Sequence, residues 1–263
     1  MNHSHPVLRQ QETPKRVYNI ATKDGPIPVE EEVEALMPEP GTLDDITAVV
    51  VNYQTEQLIE VAVASFREFY PDVHLVISDN NSTDGSWEWI KEQEDEVTKV
   101  VLNEANIGHG PALNSAFIEA ATRFVFTFDS DVTFLREGLL EQMLLEIEDA
   151  YAIGWLRWVN RSGVSVLEGK PFNKDRFCPY IHPYAALYNR NIYLSLAPFG
   201  NRGAPAVVNM HDAKKNGIEV KPFVLTSYVS HLVAGTRRMW RGKWNPGERE
   251  KERKWKSGST FPI

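Results

Sequence analysis

The sequence predicts an α/β fold with a mostly parallel β-sheet flanked by helices. Between residues 46 and 147, short apolar runs alternate with amphipathic segments four times. Strands that are buried on both faces of a sheet appear as continuous apolar runs, and helices that connect such strands make them parallel. The chain has 263 residues, of which 42% are hydrophobic, and this suits one large domain with extensions.

Each element is predicted from a local pattern. Four apolar runs are predicted strands: Ile46–Val51, Val73–Ile77, Lys99–Leu102 and Arg123–Phe128. Thr55 is the predicted N-cap of the first helix, Pro71 ends that helix, and its apolar face carries Leu58, Ala62, Phe66 and Phe69. Trp87 and Ile90 begin the second helix, and Pro111 is expected at the first position of the third. The fourth helix carries an apolar stripe of Leu139, Leu140, Met143, Leu144 and Ile147.

Two extensions flank the predicted domain, which covers residues 46–236. Residues 1–45 are rich in Pro, Glu and Lys and have no sustained apolar period, so we expect them to be partly disordered or wrapped on the core. Their Pro26–Pro28 and Pro38–Pro40 segments should run extended. Residues 237–263 are basic and contain three Trp residues. This composition suits a solvated helix and tail, or equally a contact with a membrane surface or a phosphate-bearing acceptor.

Composition excludes several classes of protein. No apolar run approaches the roughly 18–20 residues that span a bilayer, and Met1–Gln11 lacks the apolar region of a secretory signal. The single cysteine, Cys178, excludes an internal disulfide framework, and these features together predict a cytoplasmic protein. Through its basic tail, such a protein could also lie peripherally at the inner face of the membrane. The formal net charge of −8 argues against general nucleic-acid binding.

Polar residues follow each predicted strand, at the edge where α/β sheets bind ligands. These residues are Asn52, Tyr53, Asp79, Asn103–Asn106, Asp129 and Asp131. In Asp129-Ser130-Asp131, two carboxylates at i and i+2 of an extended chain project to the same side. Such a pair can hold Mg²⁺ or Mn²⁺ and leave coordination positions for diphosphate oxygens. The alternative is a role in a turn or a helix cap.

Two loops are candidates for nucleotide binding. Asp79 begins the loop Asp79–Ser86 and could accept a hydrogen bond from a nucleobase; the loop also suits a polar turn that caps a helix, and both roles can hold at once. The loop Asn106–Asn114 has two glycines before a predicted helix, which permit a close backbone approach to an anion at the helix N-terminus. The alternative for these glycines is a tight turn before the helix.

The sequence resembles the family 2 glycosyltransferases, and the rhamnosyltransferase-like bacterial members most closely. The resemblance covers Ile46 to Thr236 and depends on four motifs in order: Val49–Tyr53, Asp79–Ser86, Asn106–Asn114 and Asp129–Asp131. It implies a GT-A, Rossmann-like fold with a nucleotide-sugar half at 46–131 and an acceptor half at 132–236. It also implies an inverting, metal-dependent transfer from a nucleotide diphosphate sugar, with UDP or dTDP favoured as carrier, to an unknown glycan or lipid-linked acceptor.

The resemblance also assigns roles to residues. It implies that Tyr53 packs on the base, that Asp79 bonds to the base and that Asp129 meets the ribose. The whole set expected to bind the nucleotide sugar is Asn52, Tyr53, Asp79, Asn106, Gly108, Asn114 and Asp129. Asp131 should bind a metal that bridges the diphosphate, with Asp129 beside it. His231, in Val229–Thr236, resembles the histidine of a late family loop that joins this metal, and imidazole suits Mn²⁺ better than Mg²⁺.

The catalytic base is where the sequence departs from the family pattern. Relatives carry an acidic pair ahead of a glycine in the acceptor-side helix, but if that glycine is Gly217 the matching positions hold Pro205 and Ala206. An inverting transfer needs a group that takes the acceptor's proton. Asp212 is the first candidate and His182 the second. Glu168 and Asp175 stay open as alternatives.

Other functions compete with a transferase. A sugar nucleotidyltransferase should carry a Gly-rich, basic loop after the first strand, where this chain has Asn52–Thr55. A dehydrogenase is disfavoured because no G-x-G-x-x-G follows that strand. A catalytically inactive nucleotide-sugar-binding protein is favoured by the missing acidic pair and disfavoured by the retained Asp129, Asp131 and His231. Four aromatic residues are either core or walls for a sugar: Trp155, Trp158, Tyr180 and Tyr184.

Overall fold

The computed structural model describes residues 15–22, 25–32, 41–166, 171–200 and 204–232. The chain forms two compact units, Met1–Pro40 and Gly41–Ile263. The first unit contains an antiparallel hairpin of strands β1 (Lys15–Thr22) and β2 (Gly25–Glu32). The prediction that Pro26–Pro28 runs extended is thereby confirmed. Pro38–Pro40 and the tail at 237–263 lie outside the described residues, and the predicted domain boundaries stay predictions.

The second unit is built on a seven-stranded sheet with the order β10-β8-β9-β6-β3-β4-β5. Its strands are β3 (Ile46–Asn52), β4 (His74–Asp79), β5 (Thr98–Leu102), β6 (Phe124–Asp129), β8 (Ala152–Asn160), β9 (Phe177–Asn189) and β10 (Val220–Pro222). A separate antiparallel pair joins β7 (Val132–Phe134) to β11 (Val229–His231). The helices are α1 (Glu56–Phe69), α2 (Ser86–Lys91), α3 (His109–Glu119), α4 (Leu139–Ile147), α5 (Arg190–Leu194) and α6 (Val207–Lys215).

The predicted α/β fold with a mostly parallel sheet is confirmed. Strand β3 is parallel to β4 and β6, β4 is parallel to β5, and β10 is parallel to β8. Only β9 runs against its neighbours, β6 and β8. The carboxyl ends of β3, β4 and β6 therefore meet at one edge, where three of the predicted site residues lie: Asn52, Asp79 and Asp129.

The helix starts show where local patterns were read correctly and where they were not. Thr55 occupies the N-cap position of α1, but its side chain makes no capping hydrogen bond. Helix α1 ends at Phe69, two residues before Pro71, as expected. The expectation for Pro111 is wrong, because α3 begins at His109 and Pro111 is its third residue. A proline anywhere in the first turn loses no intrahelical hydrogen bond, so its presence does not fix the first position.

The core lies on both faces of the sheet. Alternate residues of β3 point to opposite faces, so Ala48 and Val50 pack in one cluster and Val49 in the other. The predicted stripe on α4 is wholly buried in the first cluster. Each fully buried large apolar side chain contributes about 1.5–3 kcal/mol, so this core holds the strand ends in fixed positions. No helix in the described part of the chain is long and apolar enough to cross a bilayer.

Candidate functional site

The structure brings together the three predicted metal ligands, Asp129, Asp131 and His231. Asp129 ends β6, and β7 begins directly after Asp131. His231 comes from β11, which pairs with β7, and the amide of Leu232 donates to the Asp131 carbonyl at 3.0 Å. The three possible ligand atoms lie within 4.8 Å of one another, and Nε2 of His231 is 3.2 Å from Oδ1 of Asp131. A strand pair thus places residues distant in sequence in one cluster.

The chemistry of this cluster fits a divalent cation. Burial raises the pKa of Asp129, as does the negative charge of Asp131, whereas positive charge on His109 or His231 would lower it. Nε2 of His109 lies 3.9 Å from the Asp129 carboxylate, and the Asp129 side chain keeps 20% exposure. Two neighbouring carboxylates repel each other unless a cation lies between them. Carboxylate oxygens and one imidazole nitrogen could together hold Mn²⁺, and less favourably Mg²⁺.

Aromatic side chains form one wall beside the cluster. The Tyr184 ring stacks on His231 with centroids 4.4 Å apart and planes 10° apart. The ring centroid of His182 lies 5.3 Å from that of Tyr184 and 6.5 Å from that of His231. The ring of the half-exposed Trp155 lies 5.8 Å from the His182 ring, again between centroids. The guanidinium of Arg157 lies 4.8 Å from the Trp155 ring centroid. The wall is therefore built of tilted aromatic rings, with the Trp155 ring exposed and a positive charge beside it.

A bulge in β9 produces this wall. The register between β8 and β9 shifts from Gly154 opposite Ala186 to Leu156 opposite Ile181, so His182–Tyr184 lie outside the regular ladder. Bulges re-aim side chains, and a proline inside one removes no ladder hydrogen bond. The carbonyl of Pro183 accepts a hydrogen bond from Thr127 at 2.6 Å, which fixes the bulge to β6.

Burial determines the protonation of His182. Burial first, and then nearby positive charges led by His231, together lower the pKa of this imidazole to about 3. His182 is therefore neutral at physiological pH. Its Nδ1 accepts a weak hydrogen bond of 3.3 Å from the Tyr184 amide.

On the other side of the cluster, a buried hydrogen-bond network joins the ends of β3, β4 and β6. The fully buried amide of Asn52 lies within hydrogen-bond distance of Asp79 (2.7 Å), Ser86 (2.8 Å) and Ser82 (3.1 Å). The hydroxyl of Thr55 donates to Oδ1 of Asn52 at 2.5 Å and lies 3.0 Å from Oγ of Ser130. Ser130 is the middle residue of the acidic motif, so this network connects that motif to Asp79.

The loop Asp79–Ser86 forms the polar turn that was one of its two interpretations. Asp79, which is 2% exposed, accepts from the backbone amide of Ser82 at 2.8 Å. Asp84 accepts from the amides of Glu56 at 3.0 Å and Ser86 at 3.2 Å, and so caps the starts of α1 and α2. This burial favours positioning roles for Asn52 and Asp79, and their direct contact with a nucleotide stays a prediction.

The other residues predicted to bind the nucleotide sugar differ in accessibility. Tyr53 is half-buried directly after β3. Asn106 is exposed and accepts from the amide of Gly108 at 2.9 Å, where Gly108 has φ 92° at the start of α3. Asn114 instead bonds to both backbone groups of Phe199 at 2.9 Å, and its carbonyl also accepts from Tyr193. It thereby ties α3 to the loop before α6.

The structure separates the two candidate bases. His182 lies beside the cluster, but Asp212 accepts hydrogen bonds from the Ala197 amide at 2.9 Å and the Asn216 side chain at 3.3 Å. Asp212 and Asp175 line a cavity of about 940 Å³ whose described lining includes none of the three metal-ligand candidates. Glu168 lies outside the described residues. The assignment of the base stays a prediction, and these contacts favour a structural role for Asp212.

Sequence reasoning missed three contributors to the site. Tyr184 is buried in the core, which is one of its two predicted roles, but its contact with His231 is not predictable from the sequence. Arg157 and the Thr55–Ser130 contact were missed entirely. The alternation of Tyr180, His182 and Tyr184 around a proline was an available signal of a bulged strand. Tyr180 is part of the core, whereas Trp158 is half-buried and its ring packs on Phe172 with centroids 5.2 Å apart.

The fold and the acidic cluster at the strand ends together define a GT-A type α/β protein. The model of "Glycosyl transferase family 2" matches residues 47–196, so the chain belongs to glycosyl transferase family 2. The match does not single out the rhamnosyltransferase-like members. A search among curated proteins found no match.

Three solved structures illustrate the shared fold. A mannosyltransferase from Pyrobaculum calidifontis, in complex with GDP-Man and Mn²⁺, is 20% identical with a TM-score of 0.53 over 72% of this chain and 57% of its own. S. aureus TarS 1–349 is 17% identical with a TM-score of 0.53 over 72% of this chain and 61% of its own. GalNAc-T7, with UDP, GalNAc and Mn²⁺, is 11% identical with a TM-score of 0.53 over 71% of this chain and 43% of its own. The chain thus spans less than two thirds of each of these proteins.

Proposed function

We propose that the chain is an inverting, metal-dependent glycosyltransferase that moves a sugar from a nucleotide diphosphate to an acceptor of unknown identity. The observation that carries this proposal is the cluster of Asp129, Asp131 and His231 at the carboxyl ends of the parallel strands. Membership of the family supports the reaction class. The rhamnosyltransferase-like character is part of the proposal and depends on the sequence resemblance alone.

In such a site, the described residues would have different roles. Asp131, His231 and Asp129 would hold the divalent ion, which supplies positive charge for the departing diphosphate. The network through Asn52 fixes the acidic motif in place. Tyr53 and Asn106 line the accessible part of the nucleotide side. Trp155, which is 40% exposed, offers a ring face against which a sugar can pack, and the buried Tyr184 stacks on the His231 ring.

The proton of the attacking hydroxyl needs an acceptor near this wall. His182 is the neutral base candidate there, although its low pKa makes it a weak base. Asp212 would need to leave its two hydrogen bonds to act. Of the two predicted bases, the geometry therefore favours His182.

The nucleotide is tested by thermal unfolding with UDP, dTDP and GDP, each with and without Mn²⁺ or Mg²⁺. A ligand that binds only the native state raises Tm by mass action. UDP and dTDP are expected from the resemblance, whereas the structures of similar fold include complexes of GDP-Man and of UDP-GlcNAc. A metal-dependent shift with GDP alone would contradict the UDP or dTDP expectation, and no shift with any nucleotide would contradict the proposal.

The metal assignment is tested with Asp131→Ala. We expect this variant to lose metal-dependent nucleotide binding in calorimetry while its circular dichroism stays unchanged. The matched control is Asp149→Ala, which removes an exposed carboxylate elsewhere in the chain. Nucleotide affinity that survives in Asp131→Ala would remove the metal role of this residue.

A second function is favoured by one observation, the presence of Pro205 and Ala206 where relatives carry an acidic pair. This function is nucleotide-sugar binding without transfer. One experiment distinguishes the two functions. A sugar nucleotide that binds is incubated with the protein and metal, and its slow hydrolysis is measured. Nucleotide release that depends on Asp131 supports the transferase, and binding without release supports the inactive protein.

A further inference from the structure

The cavity of about 940 Å³ that Asp212 and Asp175 line lies between α6 and the connection from β8 to β9. Its charged lining residues are Arg161, Arg176, Lys214, Lys215, Asp175 and Asp212. None of Asp129, Asp131 and His231 is among its described lining residues. From Trp155, beside the metal cluster, to Asn160, at the cavity, β8 advances about 17 Å. The cavity is therefore separate from the predicted metal site, on the same β8–β9 ribbon.

Among the described residues, the positive charge that lines this cavity exceeds the negative charge. Four cationic side chains face two carboxylates there, although the chain as a whole has a net charge of −8. The Asp212 carboxylate is already bonded to the Ala197 amide and the Asn216 side chain. Within the described residues, the ion pairs are made by other groups, and none joins one of these four cations to a carboxylate.

Two further features show that this charge is specific to the cavity. The pKa of His211, which lines it, is lowered by burial and then by the positive charges of Arg161 and Lys214. Another cavity, of about 450 Å³ at the amino ends of the strands, has the opposite character. Its lining includes Asp44, Glu94, Asp95, Glu96 and Glu119.

We propose that the cavity between α6 and the β8–β9 connection is an oxyanion-binding site that takes a phosphate-bearing ligand. Arg161 and Arg176 supply planar guanidinium groups, which can bind two phosphate oxygens at once. The ammonium group of Lys214 is held by the carbonyls of Lys174 at 2.6 Å and Phe177 at 2.8 Å, so one charge of the wall is fixed. The volume exceeds that of one phosphate, so the cavity has room for a ligand with further groups. This proposal does not rest on the transferase function.

The test measures binding of tripolyphosphate and of long-chain polyphosphate by calorimetry, in EDTA and without any sugar nucleotide. The test variant is Arg161→Gln/Arg176→Gln, whose two exposed side chains make no hydrogen bond with a described residue. The control, Lys91→Gln/Lys99→Gln, removes the same number of positive charges elsewhere. We expect at least tenfold weaker binding with an unchanged Tm in the test variant, and unchanged binding in the control and in Asp131→Ala.

The outcomes are distinct. Equal loss in both double variants would show general electrostatic attraction and overturn the proposal, as would no binding by the native chain at millimolar ligand. Loss of binding in Asp131→Ala would move the anion to the metal cluster and also overturn it. If the test variant alone loses binding, similar affinity for both probes identifies a small phosphorylated ligand. Much tighter binding of the long probe identifies phosphates carried on a polymer.

Discussion

At the scale of single residues, Thr55 links the two halves of the strand-end network. Its hydroxyl donates to Asn52 and lies beside Ser130, and the side chain is 1% exposed. We predict that Thr55→Val, which keeps the shape but removes the hydroxyl, lowers the free energy of unfolding by about 1–3 kcal/mol because Oδ1 of Asn52 loses its donor. Urea denaturation measures this loss.

Thr55→Ser is the matched control because it restores the hydroxyl. Its loss should be smaller than that of the valine variant, and it should retain the affinity for a nucleotide that the native chain shows with metal. If the serine variant is as unstable as Thr55→Val, the methyl group matters and the hydrogen bond does not.

The roles of single residues could be predicted from the sequence only where the residues of a motif lie close together in the chain. Asp129 and Asp131 could be paired from two positions of one strand end, and His231 was added by resemblance. The burial of Asn52 and Asp79 could not be foreseen, because their partners Ser82, Ser86 and Thr55 come together only when three strands align. The contact of Tyr184 with His231 depends on the bulge, which has no reliable local pattern.

At the scale of elements, the first turn of α3 lies against the loop before α6. A Cβ on Gly110 would lie 1.9 Å from the carbonyl oxygen of Gly200, so only glycine fits there. We predict that Gly110→Ala lowers the free energy of unfolding by about 1–3 kcal/mol or more, because the backbone must shift. Thermal or urea unfolding measures the change.

The partner glycine gives the control for this prediction. A Cβ on Gly200 would have its nearest neighbour, the Pro205 carbonyl oxygen, at 3.9 Å, and Gly200 has no positive φ. Gly200→Ala should therefore unfold at nearly the native Tm. An equal loss in both variants would mean that the loop, and not the approach to α3, requires glycine.

The predicted elements agree best with the structure where one pattern decides both type and position. The α4 stripe and the four parallel strands are of this kind. The predictions for β9 were limited to its aromatic residues, because an antiparallel strand between β6 and β8 is fixed by pairing partners that lie far away in sequence. The predicted start of α3 is wrong because a proline is tolerated at any position of a first helical turn, so Pro111 does not mark the first residue.

At the scale of the whole molecule, Cys178 reports on global opening. It is the single cysteine, it is fully buried, and burial raises its pKa from 9.0 to about 11. We predict that a thiol reagent at pH 8 labels the native chain at least about 100-fold more slowly than the chain in guanidinium, since two pKa units reduce the thiolate fraction by that factor. Absorbance of the released thiol chromophore follows the reaction.

The sign of the pH effect follows from the same shift. The native thiol holds its proton more tightly than the unfolded one, so its contribution to stability is present below pH 9 and is lost as pH rises toward 11. Rapid, complete labelling of native protein at pH 8 would mean that the β9 region opens without global unfolding.

The bulge at His182–Tyr184 has a consequence for how substrate preference can evolve. Changes of length or shape inside a bulge leave the ladder on either side intact, because its residues carry none of the regular pairing. One wall of the site can therefore vary among descendants of this chain while the strand ends that hold Asp129 and Asp131 keep their geometry. In the proposed transferase, this wall would be the part of the site that changes while the metal ligands stay in place.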